Sequence, residues 1–168
     1  MYEKKQLGVL EDALFFESLN SMVEESCRYS PHPISAMANI SALIHDQMTD
    51  LNWVGFYIFH DDRFIVGPFQ GKPACTEIKI GQGVCGHAAE LKKVVVVDDV
   101  DAFEGHIACD AESKSELVAP IISHTSRLHA LIDLDSPSYK RFGPECQKGF
   151  EQIASTMSRN LDWNNLSL

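Results

Sequence analysis

The spacing of apolar residues changes at Trp53, and that change constrains the fold more than any other feature of the chain. Before it, apolar side chains recur every three or four positions: Leu7, Leu10, Leu14 and Met22, then Ile34, Met37, Ala38, Ile44 and Met48. Such spacing places one apolar stripe along each of two helices. YSPHP (29–33) separates them, because Pro31 and Pro33 lack amide donors and bias the residues before them away from helical geometry. After Trp53 the runs become short and rich in β-branched and aromatic residues. NWVGFYIF (52–59) and RFIVGPF (63–69) flank the polar tip HDD (60–62), which predicts a hairpin. TEIKI (76–80) alternates and ends at GQG, VCGHAAELKK (84–93) fits a short helix, and VVVV (94–97) predicts a fully buried strand because it does not alternate. ELVAPIIS (116–123) and LHALIDLDS (128–136) form a second hairpin across HTSR (124–127). Helical spacing returns from Cys146 to Trp163, with Phe150, Ile153, Met157 and Leu161 on one face.

Helices, then a mainly antiparallel sheet of about six strands, then a closing helix describe an α+β domain of two layers. No internal repeat, low-complexity tract or linker interrupts it, so one domain is expected over residues 1–168. With 24 acidic against 14 basic residues the chain carries a net charge of −10, which repels nucleic acid and anionic membrane alike. Lys4-Lys5, Lys92-Lys93 and Lys140-Arg141 are isolated pairs rather than a basic patch. Neither a signal-peptide pattern nor an apolar run of membrane-spanning length is present, so a cytoplasmic location is expected.

The five cysteines cannot all pair within one chain, and a reducing compartment favours thiols over a structural framework. Cys27 and Cys146 fall on amphipathic helices and read as small buried hydrophobes. The other three stand apart. Cys75 precedes a strand, Cys85 follows GQGV at a helix start where free amides and the helix dipole favour a thiolate, and Cys109 sits in a long polar loop (98–113). Loops of that length inside a compact domain are often functional. Zinc would find enough donors in Cys75, Cys85, Cys109, His87 and His106, but no Cys-x-x-Cys pair anchors a structural site, and no metal or other cofactor is expected. Thiol redox chemistry requires a nucleophilic thiolate and a second thiol to resolve its sulfenic acid. Carboxylates accompany the thiols: Asp133 and Asp135 alternate along one strand and share a face, and Glu116 opens the partner strand. Acids so placed are costly to bury unless they bind a cation or share a proton. With Trp53 and Tyr57 they outline a polar pocket beneath the Cys109 loop.

NWVGFY, GPFQGKPAC, GQGVCGHAA, GHIACDAESKSELVAPI and LIDLDS, in that order from Asn52 to Ser136, resemble the free methionine-(R)-sulfoxide reductases, a stand-alone branch of the GAF-domain fold. The resemblance implies a GAF-like sheet with the N- and C-terminal helices packed on one face. It implies that Cys109 attacks the sulfoxide sulfur, that Cys75 resolves the sulfenic acid as a disulfide, and that Cys85 is an auxiliary recycling thiol. Trp53 and Tyr57 would pack the methyl-sulfoxide end of the substrate, while Glu116, Asp133 and Asp135 would hold it. Free methionine-(R)-sulfoxide as substrate, a thioredoxin-like reductant and a homodimer are implied as well. His87 and His129 depart from the family pattern, where small residues are usual, and His129 is placed where it could crowd the hairpin near the pocket floor. The alternatives are a ligand-binding GAF sensor module without turnover and a thiol redox switch.

Overall fold

The computed structural model describes residues 11–30, 32–105 and 111–166. Helix α1 (Ala13–Tyr29) starts at Asp12, whose carboxylate accepts the Phe15 amide at 2.9 Å and caps the first turn. Its buried stripe is Phe15, Phe16, Leu19, Val23 and Cys27. Leu14, assigned to that stripe from spacing, is instead 69% exposed, because two adjacent phenylalanines turn the apolar face by one position. Helix α2 (Pro33–Gln47) begins on Pro33, which sacrifices no intrahelical hydrogen bond in the first turn. Met37, Ile40 and Ile44 are buried along it, and Ala38 faces solvent.

Strands β1 (Trp53–His60) and β2 (Arg63–Gly71) form the first hairpin, and β5 (Ser115–Ile122) and β6 (Leu128–Ser136) form the second. The short strands β3 (Glu77–Lys79) and β4 (Val95–Val97) complete a six-stranded sheet among the described residues, in the order β3-β2-β1-β6-β5-β4. Every pairing is antiparallel, and β1 joins the hairpins by pairing with β6. The valine run is therefore an edge strand, with Val95 and Val96 half-buried rather than enclosed on both faces. This edge position was invisible in the run itself, because it depends on what lies beside the strand.

Alternation sorts the sheet's side chains onto two faces. Val54, Phe56, Ile58, Ile132 and Leu134 point toward α1, α2 and the closing helix α4 (Pro144–Asn160), making the larger core. Trp53, Tyr57, Val118 and Leu131 point the other way, where helix α3 (Gly83–Leu91) covers them with Val84, Cys85, Ala88 and Ala89. The N- and C-terminal helices do share one face, but α3 and its flanking loops add a third layer to the two expected. Arg141, just before α4, forms a bidentate ion pair with Glu11 and donates to the Thr49 carbonyl, fastening α4 to the start of α1 and the turn before β1. No helix among the described residues is long and apolar enough to cross a membrane.

Candidate active site

The α3-covered face holds a pocket at the end of the sheet where β1 begins and β6 ends. Sheet register aligns its walls. Trp53 pairs with Asp135, which pairs on its other side with Glu116; one step along, Gly55 pairs with Asp133. Residues in one cross-strand row lie side by side on one face, so the three predicted carboxylates meet there. All three line the pocket with Trp53, Tyr57 and Cys85. Cys75 packs against the same apolar cluster. Cys109 and His106 lie outside the described residues.

Burial governs the electrostatics. Glu116 is 7% exposed and Asp133 5%, and both carboxyls are held well above the usual carboxylate range. For Glu116 the causes are loss of solvation, then repulsion from Asp133 and Asp135; for Asp133 they are loss of solvation, then repulsion from Asp135. Asp133 accepts hydrogen bonds from Glu116 and from the Cys85 thiol, which oppose that rise. Its Oδ1 remains buried without a partner among the described residues. Ligand atoms of Cys85, Glu116 and Asp133 lie within 4.8 Å of one another, so the cluster is tight enough to share protons. A helix-start thiolate at Cys85 is not what this geometry provides. The thiol is 3% exposed, and burial followed by the charge of Asp133 pushes its pKa well above the ordinary value, outweighing the dipole of a short helix.

The aromatic wall is built by a bulge. Between Gly55 and Tyr57 the register with β2 slips, so Gly55 pairs with Phe69 while Tyr57 pairs with Val66. The extra residue falls at Gly67-Pro68, where a proline without an amide is tolerated. The slip brings Phe69 onto the pocket face, stacked on Trp53 at 5.2 Å, and Tyr57 stacks on the same indole at 5.8 Å. A side chain at Gly55 would overlap both Phe69 Cβ and the Trp53 ring, so glycine is required beneath this stack.

Trp53 and Tyr57 also hold the segment that carries Cys75. The Trp53 indole Nε1 donates to the Lys72 carbonyl at 3.2 Å, and the Tyr57 hydroxyl donates to the Cys75 carbonyl at 3.1 Å. Burial and the nearby acids push the phenol pKa far upward, keeping it a neutral donor. Cys75 is disulfide-bonded, whereas Cys27, Cys85 and Cys146 carry free thiols. Across the pocket mouth, Lys72 Nζ donates to Glu112 Oε2 at 2.5 Å, and Asn52 Nδ2 donates to Ser113 Oγ at 3.0 Å.

A GAF domain model matches residues 32–161. The chain is 42% identical over 128 residues to the free methionine-R-sulfoxide reductase of Escherichia coli (strain K12), covering 76% of this chain and 77% of that protein. Identity is 40% over 131 residues to the enzyme of the same name from Saccharomyces cerevisiae, covering 74% and 73%. The X-ray structure of free methionine-R-sulfoxide reductase from Neisseria meningitidis in complex with its substrate superimposes with a TM-score of 0.89 at 30% identity, over 95% of each chain. The chain belongs to the GAF-domain free methionine-R-sulfoxide reductases.

Two departures of this reductase from the expected family pattern lie away from the pocket. His87 packs edge-on against Phe103, their rings 5.7 Å apart. His129 does not crowd the pocket floor. Ile121 pairs with Ala130 and Ile122 with Leu128, so His129 is the extra residue of a second bulge, and it stacks on Trp163 at 5.0 Å. Sequence reasoning missed Lys72 and Gln82 among the pocket residues, and Phe69, which stacks on the pocket's Trp53. Phe69 was hidden by the bulge; Lys72 was readable from its place three residues before Cys75 in the reductase motif GKPAC.

Proposed function

We propose that the chain reduces free methionine-(R)-sulfoxide to methionine, using its own thiols as the immediate reductant. The Cys109 thiolate attacks the sulfoxide sulfur; the oxygen passes to Cys109 as a sulfenic acid, and methionine leaves. The Cys75 thiol then displaces that oxygen as water and closes a Cys75–Cys109 disulfide. A thioredoxin-like dithiol reduces it by exchange and is itself oxidised, with Cys85 as an auxiliary recycling thiol. The departing oxygen needs protons, and a buried carboxyl kept protonated above its ordinary pKa supplies one. An ionised neighbour holds the α-ammonium that distinguishes a free amino acid from a peptide-bound residue. Trp53 and Tyr57 enclose the methyl-sulfoxide end. One GAF-like unit, working as a homodimer in the reducing cytoplasm, completes the reading.

The observation that carries this proposal is the cross-strand row of Glu116, Asp135 and Trp53, with Asp133 beside it, under a segment whose Cys75 is disulfide-bonded. The free thiols of Cys27, Cys85 and Cys146 support Cys109 as the partner. Cys109→Ser should form no methionine even with excess reductant, because an alcohol is a far weaker nucleophile. Cys75→Ser, without reductant, should release about one methionine per site and leave a sulfenic acid that dimedone labels. Thioredoxin-linked turnover undiminished in the Cys75/Cys85 double variant would overturn the disulfide mechanism.

A further inference from the structure

The acids on the pocket floor create a difficulty at the other end of the substrate. A free amino acid also carries an α-carboxylate, which Glu116, Asp133 and Asp135 would repel. Among the described residues that line the pocket, Lys72 is the one cation. Its exposed side chain stands at the mouth, whereas Glu116 and Asp133 are buried, and its main chain is fixed by the Trp53 indole. Moreover, its ammonium already holds a carboxylate: Glu112 Oε2 lies 2.5 Å from Nζ, on the segment leading to the pocket residue Ser113. Both side chains are more than half exposed, so the pair is solvated and exchanges its partners at little cost.

We propose that Lys72 is the specificity residue for the substrate α-carboxylate, and that Glu112 is an internal stand-in which the substrate displaces. This rests on the reductase reading and adds the determinant at the carboxylate end. Both charges on the substrate's α-carbon are then matched, the ammonium by an ionised acid of the pocket and the carboxylate by Lys72 at the mouth, and a peptide-bound residue satisfies neither. Glu112 competes with substrate for the same cation, so its removal favours binding.

The test compares free methionine-(R)-sulfoxide with its carboxamide, which keeps the ammonium and lacks the carboxylate charge. Wild-type enzyme should prefer the free acid. Lys72→Met should raise KM for the acid about five- to tenfold, the scale of a lost solvated charge-assisted contact, with kcat retained. Its KM for the carboxamide should not change, so the preference collapses. Glu112→Gln should lower KM for the acid without affecting the carboxamide. An acid-to-carboxamide ratio equal in wild type and Lys72→Met would overturn the assignment and move the carboxylate to another donor, such as the first amides of α3. Failure of the wild type to reduce the free acid would instead remove the reductase reading itself.

Discussion

At the scale of single residues, the site is organised around protons that burial prevents from leaving. Glu116 has a folded pKa above its ordinary value of 4.5, so folding takes up a proton as pH rises past that value. The sign follows: its contribution to stability is greatest below pH 4.5 and is lost as pH climbs toward the raised folded pKa. Glu116→Gln removes the titration while keeping shape. Its melting temperature should therefore exceed that of wild type at pH 8, and the two should converge near pH 4; kcat/KM should fall roughly 10²-fold, the scale for losing an acid. Equal melting temperatures at pH 8 would mean the carboxyl is not held protonated. Tyr57 offers a second separation. Tyr57→Phe removes the donor to the Cys75 carbonyl but keeps the ring against Trp53. Single-turnover methionine release should be nearly unchanged, while disulfide closure, followed by quenching and thiol counting, should slow several-fold. Slowing of the first step with normal closure would assign the hydroxyl to substrate instead.

At the scale of elements, local signals were legible and neighbours were not. The switch of period at Trp53, both hairpins and the closing helix stand in the sequence because turn residues and apolar spacing are local properties. The shared face of Asp133 and Asp135 was equally readable, since alternation is fixed by strand geometry. Other features depend on what packs beside a segment. The valine run became an edge strand, Cys85 was enclosed rather than activated, and bulges at Gly67-Pro68 and at His129 shifted two alternations by one residue. Arg141 likewise acts through distant partners, clasping Glu11 and Thr49 from the loop before α4. Arg141→Met should cost about 1–3 kcal/mol, the range for losing charge-assisted hydrogen bonds that leave a half-buried carboxylate behind. A urea titration checks this, and turnover at saturating substrate should be unaffected because the clasp lies on the helical side.

At the scale of the whole molecule, the sheet divides labour between its faces. One face meets α1, α2 and α4 in an almost wholly apolar core, and the other carries every described residue of the site. Strand order brings this about, since β1 and β6 join the two hairpins through paired residues more than seventy positions apart in sequence, Ile58 with Ala130 being the nearest such pair. Periodicity cannot encode a pairing of that range, whereas the family's motifs carried it implicitly.

The two tryptophans sit on opposite faces of that sheet, each in a ring stack, and this makes the protein its own optical instrument. Trp53 is tied to the Cys75 segment, so its emission should change with reduction of the disulfide and with substrate. Trp163 instead reports on His129, whose pKa is lowered by burial and then by Arg127. Below that lowered value the stacked imidazole becomes a cation, an efficient quencher of indole light. With Trp53→Phe isolating the second signal, emission should be high and flat above pH 6.5 and fall in more acidic buffer. His129→Gln should abolish the fall, and a decrease that survives this substitution would show that Trp163 senses some other group.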